Sequence, residues 1–104
     1  DTGMVIVFLE VGQDIVFKDG ALESAINQGV KEAYAQGFFR KSVVSDPILR
    51  ENTGTNTPAI IYTDIVSGDK LKINVIPKGF GAENMSRVFM LTPASGIEGI
   101  KECV

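Results

Sequence analysis

The residues best suited to chemistry fall in a few short stretches. Lys78-Gly79-Phe80-Gly81 sets an ammonium beside two glycines, whose backbone N–H groups can come close to an anion. The stretch is not a P-loop, because the spacing differs and no Lys-Ser/Thr pair follows the glycines. Its plain alternative is a glycine-rich turn or bulge before a strand. Arg40 is one of three arginines, and a guanidinium fork fits a carboxylate with two parallel hydrogen bonds. Taken alone, the residues favour an ordinary arginine at a helix end, where it suits the dipole. Asp1 precedes Thr2-Gly3 and an apolar run, so it places a carboxylate at a strand edge, where a general base could sit. Cys103 follows acidic Glu102, which disfavours a thiolate, and reads as structural.

Composition narrows the chemistry further. The chain has 104 residues, 44% of them hydrophobic, enough for one domain with one core over residues 1–104. A net charge of −3 with 22% charged residues argues against a nucleic-acid binder and a disordered polyelectrolyte. No histidine is present, so a Ser-His-Asp or Cys-His system cannot be assembled within the chain. One cysteine allows no internal disulfide, and no apolar run has the length of a membrane span. The chain opens almost directly on a strand and stops in what reads as a helix, so it is expected to be an internal piece of a longer protein. Apolar surface near both ends should then stand uncovered or meet another chain.

The elements that must position these residues are legible in outline. Residues 4–10 form an apolar run expected to be a strand buried on both faces. Ile15-Val16-Phe17 is a short second run. From Ala21 to Gln36, Leu22, Ile26, Val30 and Tyr34 recur at helical spacing, with Gly29 inside the stripe and Gly37 placed as a C-terminal cap. Ser45 or Asp46 can cap a short turn of helix through Arg50, with Pro47 at its first position. Asn52-Thr53-Gly54-Thr55-Asn56-Thr57-Pro58 is a loop by composition. It fits a solvated connector first, and second a loop of hydroxyls, amides and backbone N–H groups that meets a ligand. Residues 59–66 and 70–76, joined by Ser67-Gly68-Asp69, read as a hairpin with Leu71, Ile73 and Val75 on one face. Arg87–Leu91 reads as a fourth strand, and residues 97–104 as a helix with Ile97, Ile100 and Val104 on one side. The expected fold class is α+β: about four mostly antiparallel strands packed with one long and one or two short helices.

Five blocks in order carry a resemblance over essentially the whole chain. They are Asp1-Thr2-Gly3 before a strand, the run from Phe38 to Gly54, Asn56-Thr57-Pro58-Ala59-Ile60-Ile61-Tyr62, Gly68-Asp69-Lys70-Leu71-Lys72-Ile73, and Lys78-Gly79-Phe80-Gly81-Ala82-Glu83-Asn84-Met85-Ser86. The chain resembles the α part of the iron–sulfur hydro-lyases, the class I fumarases and L(+)-tartrate dehydratases. The resemblance implies reversible addition or removal of water on a small dicarboxylate in a cytoplasmic enzyme. It also implies a [4Fe–4S] cluster whose ligands lie outside this segment, since the family motif is Cys-Gln-Asp-Thr-Gly and this chain starts at the Asp. Cys103 matches none of the family's cluster cysteines. Asp1 matches the motif aspartate, implied to take part in proton transfer. Arg40 matches the arginine implied to grip a substrate carboxylate. Lys78, Gly79 and Gly81 match a Lys-Gly-Gly-Gly substrate loop, with Phe80 in place of its middle glycine. Thr55 replaces an aspartate common in the family. A β subunit or C-terminal domain and an oligomeric state are implied as partners, with no nucleic acid and no membrane. The second reading is a non-catalytic family member acting as a subunit-interaction module.

Overall fold

The computed structural model describes residues 3–104. Along the chain it has strand β1 (Met4–Gly12), helix α1 (Leu22–Gln36), strands β2 (Ile60–Val66) and β3 (Leu71–Lys78), 3-10 turns at Gly81–Met85 and Pro93–Ser95, and helix α2 (Gly96–Cys103). The class is α+β, with three strands in place of the expected four.

The expected hairpin does not form. β2 and β3 are not neighbours, because β1 lies between them in the order β2-β1-β3. β1 pairs with β2 in parallel, Ile6 opposite Ile60, and with β3 antiparallel, Ile6 opposite Ile76. The sheet is therefore mixed. The most apolar run in the chain takes the centre, where both edges are satisfied, and its odd-numbered side chains are covered by α1. Val5, Val7, Leu9 and Val11 form the core with Val30 and Tyr34 of the helix, joined by Leu22, Ile26, Ala59 and Ile61 at the margin. The helical stripe is thus core packing, as its spacing indicates.

Burial of β1 is one-sided, contrary to expectation. Leu9 is 2% exposed, whereas Phe8, on the opposite face, is 41% exposed. Phe8 stacks on Tyr62 across the parallel pair, with centroids 5.2 Å apart. Further along the same face, Lys72 Nζ lies 3.0 Å from Glu10 Oε2. The polar side of β3 thus meets charge at Lys72.

The connector between β2 and β3 arches over the end of β1. Gly12 N–H donates to Lys70 O at 2.8 Å, Gln13 N–H to Val66 O at 2.7 Å and Asp14 N–H to Gly68 O at 2.9 Å. A Cβ on Gly12 would lie 2.5 Å from Gly68 O and 2.7 Å from Lys70 N, so the arch closes only over a glycine.

Of the short run Ile15-Val16-Phe17 only Ile15 reaches the core margin, and Val16 is 75% exposed. Residues 46–50 make the expected single turn, Arg50 N–H donating to Asp46 O at 2.8 Å. Asp46 Oδ1 does accept from Ile48 and Leu49 N–H at 2.8 and 2.7 Å. Helix growth stops because Arg50 is left-handed (φ 57°), and Ile48 and Leu49 face outward with no apolar face to bury. The expected fourth strand does not form: Arg87–Leu91 has no partner strand among the described residues, and Val88 and Met90 are about nine-tenths exposed.

α2 packs chiefly against the turn at Pro93–Ser95. The radius of gyration is 18.5 Å, against about 13 Å for a compact chain of this length. Apolar side chains such as Met90, Ile97 and Val104 do stand uncovered toward the C-terminal end. An apolar groove of about 530 Å³ also opens between α1 and β3, lined among others by Ile26, Gly29, Ala33, Phe39, Ile73 and Val75.

The arch supplies a test of the topology. Gly12→Ala should destabilise the fold by about 1–3 kcal/mol, the usual cost of forcing atoms into a closed contact. The readout is the urea midpoint, which should fall with an unchanged slope.

Candidate functional site

The start of β1 is where separate parts of the chain meet. Gly3 has φ +91°, and a Cβ there would fall 1.8 Å from Lys78 O and 2.7 Å from Gly79 Cα. No side chain fits such a space, so this glycine is what lets the end of β3 lie against the start of β1. The register continues this contact, since Met4 is opposite Lys78.

The stretch carrying Arg40 is tied to the same place. Gly3 N–H donates to Ser42 Oγ at 3.3 Å. Asn56, fully buried, accepts from Ser42 N–H at 2.7 Å and Val43 N–H at 3.1 Å, and its Nδ2 donates to Gly3 O at 3.1 Å. The 52–58 loop is thus no solvated connector. It folds back on residues 43–45 through the Val44–Asn52 bridge, with Thr53 N–H donating to Val43 O and Asn52 Nδ2 to Lys41 O, both at 2.9 Å. Thr53 Oγ1 is buried with no hydrogen-bond partner among the described residues.

Helix α1 ends just before this region. Gly37 is the C-cap, as expected, but the left-handed residue is Phe38 (φ 53°). That turn brings the Phe39 ring edge-on to Tyr34, with centroids 5.5 Å apart, and the exposed Arg40 follows.

Lys78 is half-buried and already committed. Its Nζ donates to Gly79 O at 2.6 Å and to Glu83 Oε2 at 2.9 Å. The hydrogen bond from Lys78 holds the Glu83 carboxyl below its ordinary value of 4.5. An anion arriving here would meet an ammonium with one donor left and a carboxylate as neighbour, a weaker attraction than a bare lysine gives. Gly81 begins the 3-10 turn, and a Cβ there would meet nothing within 4 Å. Its lack of a side chain is not required by packing among the described residues.

Of the residues singled out from the sequence, the structure brings together the backbone around Lys78 and Gly79 and the stretch holding Arg40, both at Gly3. Asp1 lies outside the described residues. The groove between α1 and β3, and a second cavity at Phe17–Gln28 of about 420 Å³, are not lined by Arg40, Lys78, Gly79 or Gly81. Asn56, Ser42 and the close approach at Gly3 escape sequence reading. The available signal was a polar loop with no charge in it, which a chain can bury once backbone groups satisfy its amides.

The iron–sulfur cluster that the resemblance implies does not fit the donors present. A cluster is held by several thiolates, and this chain has one cysteine, half-buried at the end of α2, and no histidine. Among the described residues no group of three or more His, Cys, Asp or Glu side chains could hold a metal ion. No described helix is long and apolar enough to cross a membrane.

The Lys78–Glu83 pair yields a titration test. A carboxyl lowered in the folded state contributes stability that is fully present above its ordinary value and is lost as pH falls through the lowered one. Lys78→Met should move the Glu83 titration upward toward 4.5, read from its side-chain carboxyl chemical shift against pH.

Comparison with known proteins agrees with the resemblance. The family model for fumarate hydratase (Fumerase) matches residues 1–104. A Methanocaldococcus jannaschii protein provisionally named L(+)-tartrate dehydratase subunit alpha is 42% identical over 110 residues, covering 100% of this chain and 38% of that protein. An Escherichia coli L(+)-tartrate dehydratase subunit alpha is 31% identical over 107 residues, with 100% and 35% covered. A Salmonella typhimurium class I aerobic fumarate hydratase is 36% identical over 96 residues, with 90% and 16% covered. The chain thus spans well under half the length of these relatives. With every described residue inside the matched range, the chain belongs to the fumarate hydratase (Fumerase) family.

Proposed function

We propose that this chain is the substrate-binding segment of a hydro-lyase that reversibly adds or removes water on a small dicarboxylate, fumarate/malate or tartrate to oxaloacetate. The observation that carries the reading is the meeting at Gly3 of the end of β3, with Lys78 and Gly79, and the stretch that presents Arg40. A dicarboxylate has two anionic ends. Arg40 offers a planar fork for one carboxylate. Lys78 and the backbone N–H groups of Gly79 and Gly81 suit the other. Asp1, two residues before Gly3, takes the proton-transfer role. The [4Fe–4S] cluster of such an enzyme draws its ligands from outside this segment, and a β subunit or C-terminal domain completes the protein.

Two observations favour a second reading, a subunit-interaction module without catalysis. They are the apolar groove between α1 and β3 and the uncovered C-terminal stretch. Activity separates the two. The whole enzyme, purified anaerobically and loaded with iron and sulfide, should turn over at least one of fumarate, malate and tartrate. A loaded enzyme inert toward all three sinks the hydro-lyase reading. In the active enzyme, Arg40→Met should raise KM about 100-fold, the scale of losing one partner of a charged, hydrogen-bonded pair. Arg40→Lys should recover only part of that loss, because an ammonium cannot make the paired bonds.

A further inference from the structure

Asn56 is 0% exposed, the one polar side chain in the buried class among the described residues. Its orientation is fixed by its partners. Two N–H groups, of Ser42 and Val43, require the oxygen at one end, and the Gly3 carbonyl requires the amide nitrogen at the other. All three partners are backbone groups. They belong to two segments far apart in sequence, and each flanks a residue assigned to the dicarboxylate site. Ser42 follows Arg40 by two positions, and Gly3 follows Asp1 by two. The Asn56 backbone is itself left-handed (φ 57°), a conformation that asparagine tolerates better than most residues. Being wholly buried, Asn56 cannot touch a substrate.

We propose that Asn56 is a positioning residue, whose carboxamide sets the separation between the start of β1 and the stretch presenting Arg40. The inference rests on the hydro-lyase reading. The two ends of the carboxamide do different jobs. The oxygen holds the Arg40 stretch in shape, which governs substrate binding. The amide nitrogen holds Gly3, two residues after Asp1 in the sequence, so its loss should act on the proton-transfer step. Ser42 Oγ adds a second, longer tie to Gly3 N–H at 3.3 Å.

The test uses the whole cluster-loaded enzyme, with kcat expressed per folded molecule as counted by circular dichroism and iron content. Asn56→Ala cuts all three bonds and should both lower kcat and raise KM by about tenfold or more, the scale of misplacing reacting groups by a fraction of an ångström to an ångström. Asn56→Asp keeps the acceptor for Ser42 and Val43 but sets an oxygen against Gly3 O. It should bring KM back to within about threefold of the unmodified enzyme while kcat stays depressed. A purely structural asparagine would lower the folded fraction and leave both constants per folded molecule unchanged. That result overturns the proposal, as does Asn56→Asp restoring kcat together with KM. Should neither variant fold, Ser42→Ala decides. A fall in kcat of about threefold or more at constant KM supports the positioning role, and unchanged constants overturn it. An unmodified enzyme that is inactive on all the dicarboxylates fails at the level of the hydro-lyase reading and takes this inference with it. An active enzyme with indifferent variants removes this inference alone.

Discussion

The central place of β1 is the constraint on which everything else rests. A strand with one parallel and one antiparallel neighbour brings unlike ends of its neighbours to the same point. Here the antiparallel pairing carries the last residues of β3 to the first residues of β1, with Met4 opposite Lys78. The parallel pairing carries the approach to β2 alongside the same end, with Ile6 opposite Ile60, so that Asn56 arrives beside Gly3. A sheet of purely antiparallel hairpins would have sent one of these segments to the opposite end. The mixed topology is what lets three distant stretches share one corner.

Local signals recovered much of this and missed what depends on distant partners. The stripe Leu22, Ile26, Val30, Tyr34 needs only its own periodicity to be read, and it packs on the core as that periodicity requires. Two strands joined by Ser67-Gly68-Asp69 look the same in sequence whether or not a third strand passes between them. Only the pairing itself shows that one does. Arg87–Leu91 has strand-like composition, but β-propensity is realised against a neighbour, and no strand lies beside it among the described residues. The run 45–50 has a good cap in Asp46 and no buried face, so the cap closes a turn and goes no further.

The same division holds for the candidate site. Arg40 and the Lys78–Gly81 stretch stand out because their residue types suit anions. Asn56 does not stand out, because its work is done through backbone groups at Gly3, Ser42 and Val43 that no composition reveals. Sequence also overstates the free charge at Lys78, which shares its ammonium with Gly79 O and Glu83. The ammonium of Lys78 is therefore less available to an anion than its residue type suggests.

The arch over Gly12 bears on how the chain reaches this state. β2 and β3 have no ladder with each other, so neither is stabilised by its tight connection in the way a hairpin would be. Both depend on a strand made much earlier in the chain, and contacts of such sequence separation form slowly. On a ribosome β1 emerges before α1, β2 and β3, the elements that cover its buried row Val5, Val7, Leu9, Val11 and pair its edges here. α1 comes next and can shelter one face, but the pairings with β2 and β3 wait until residue 60 and beyond has been made. The interval between those events is when this sequence is most exposed to pairing with the wrong partner.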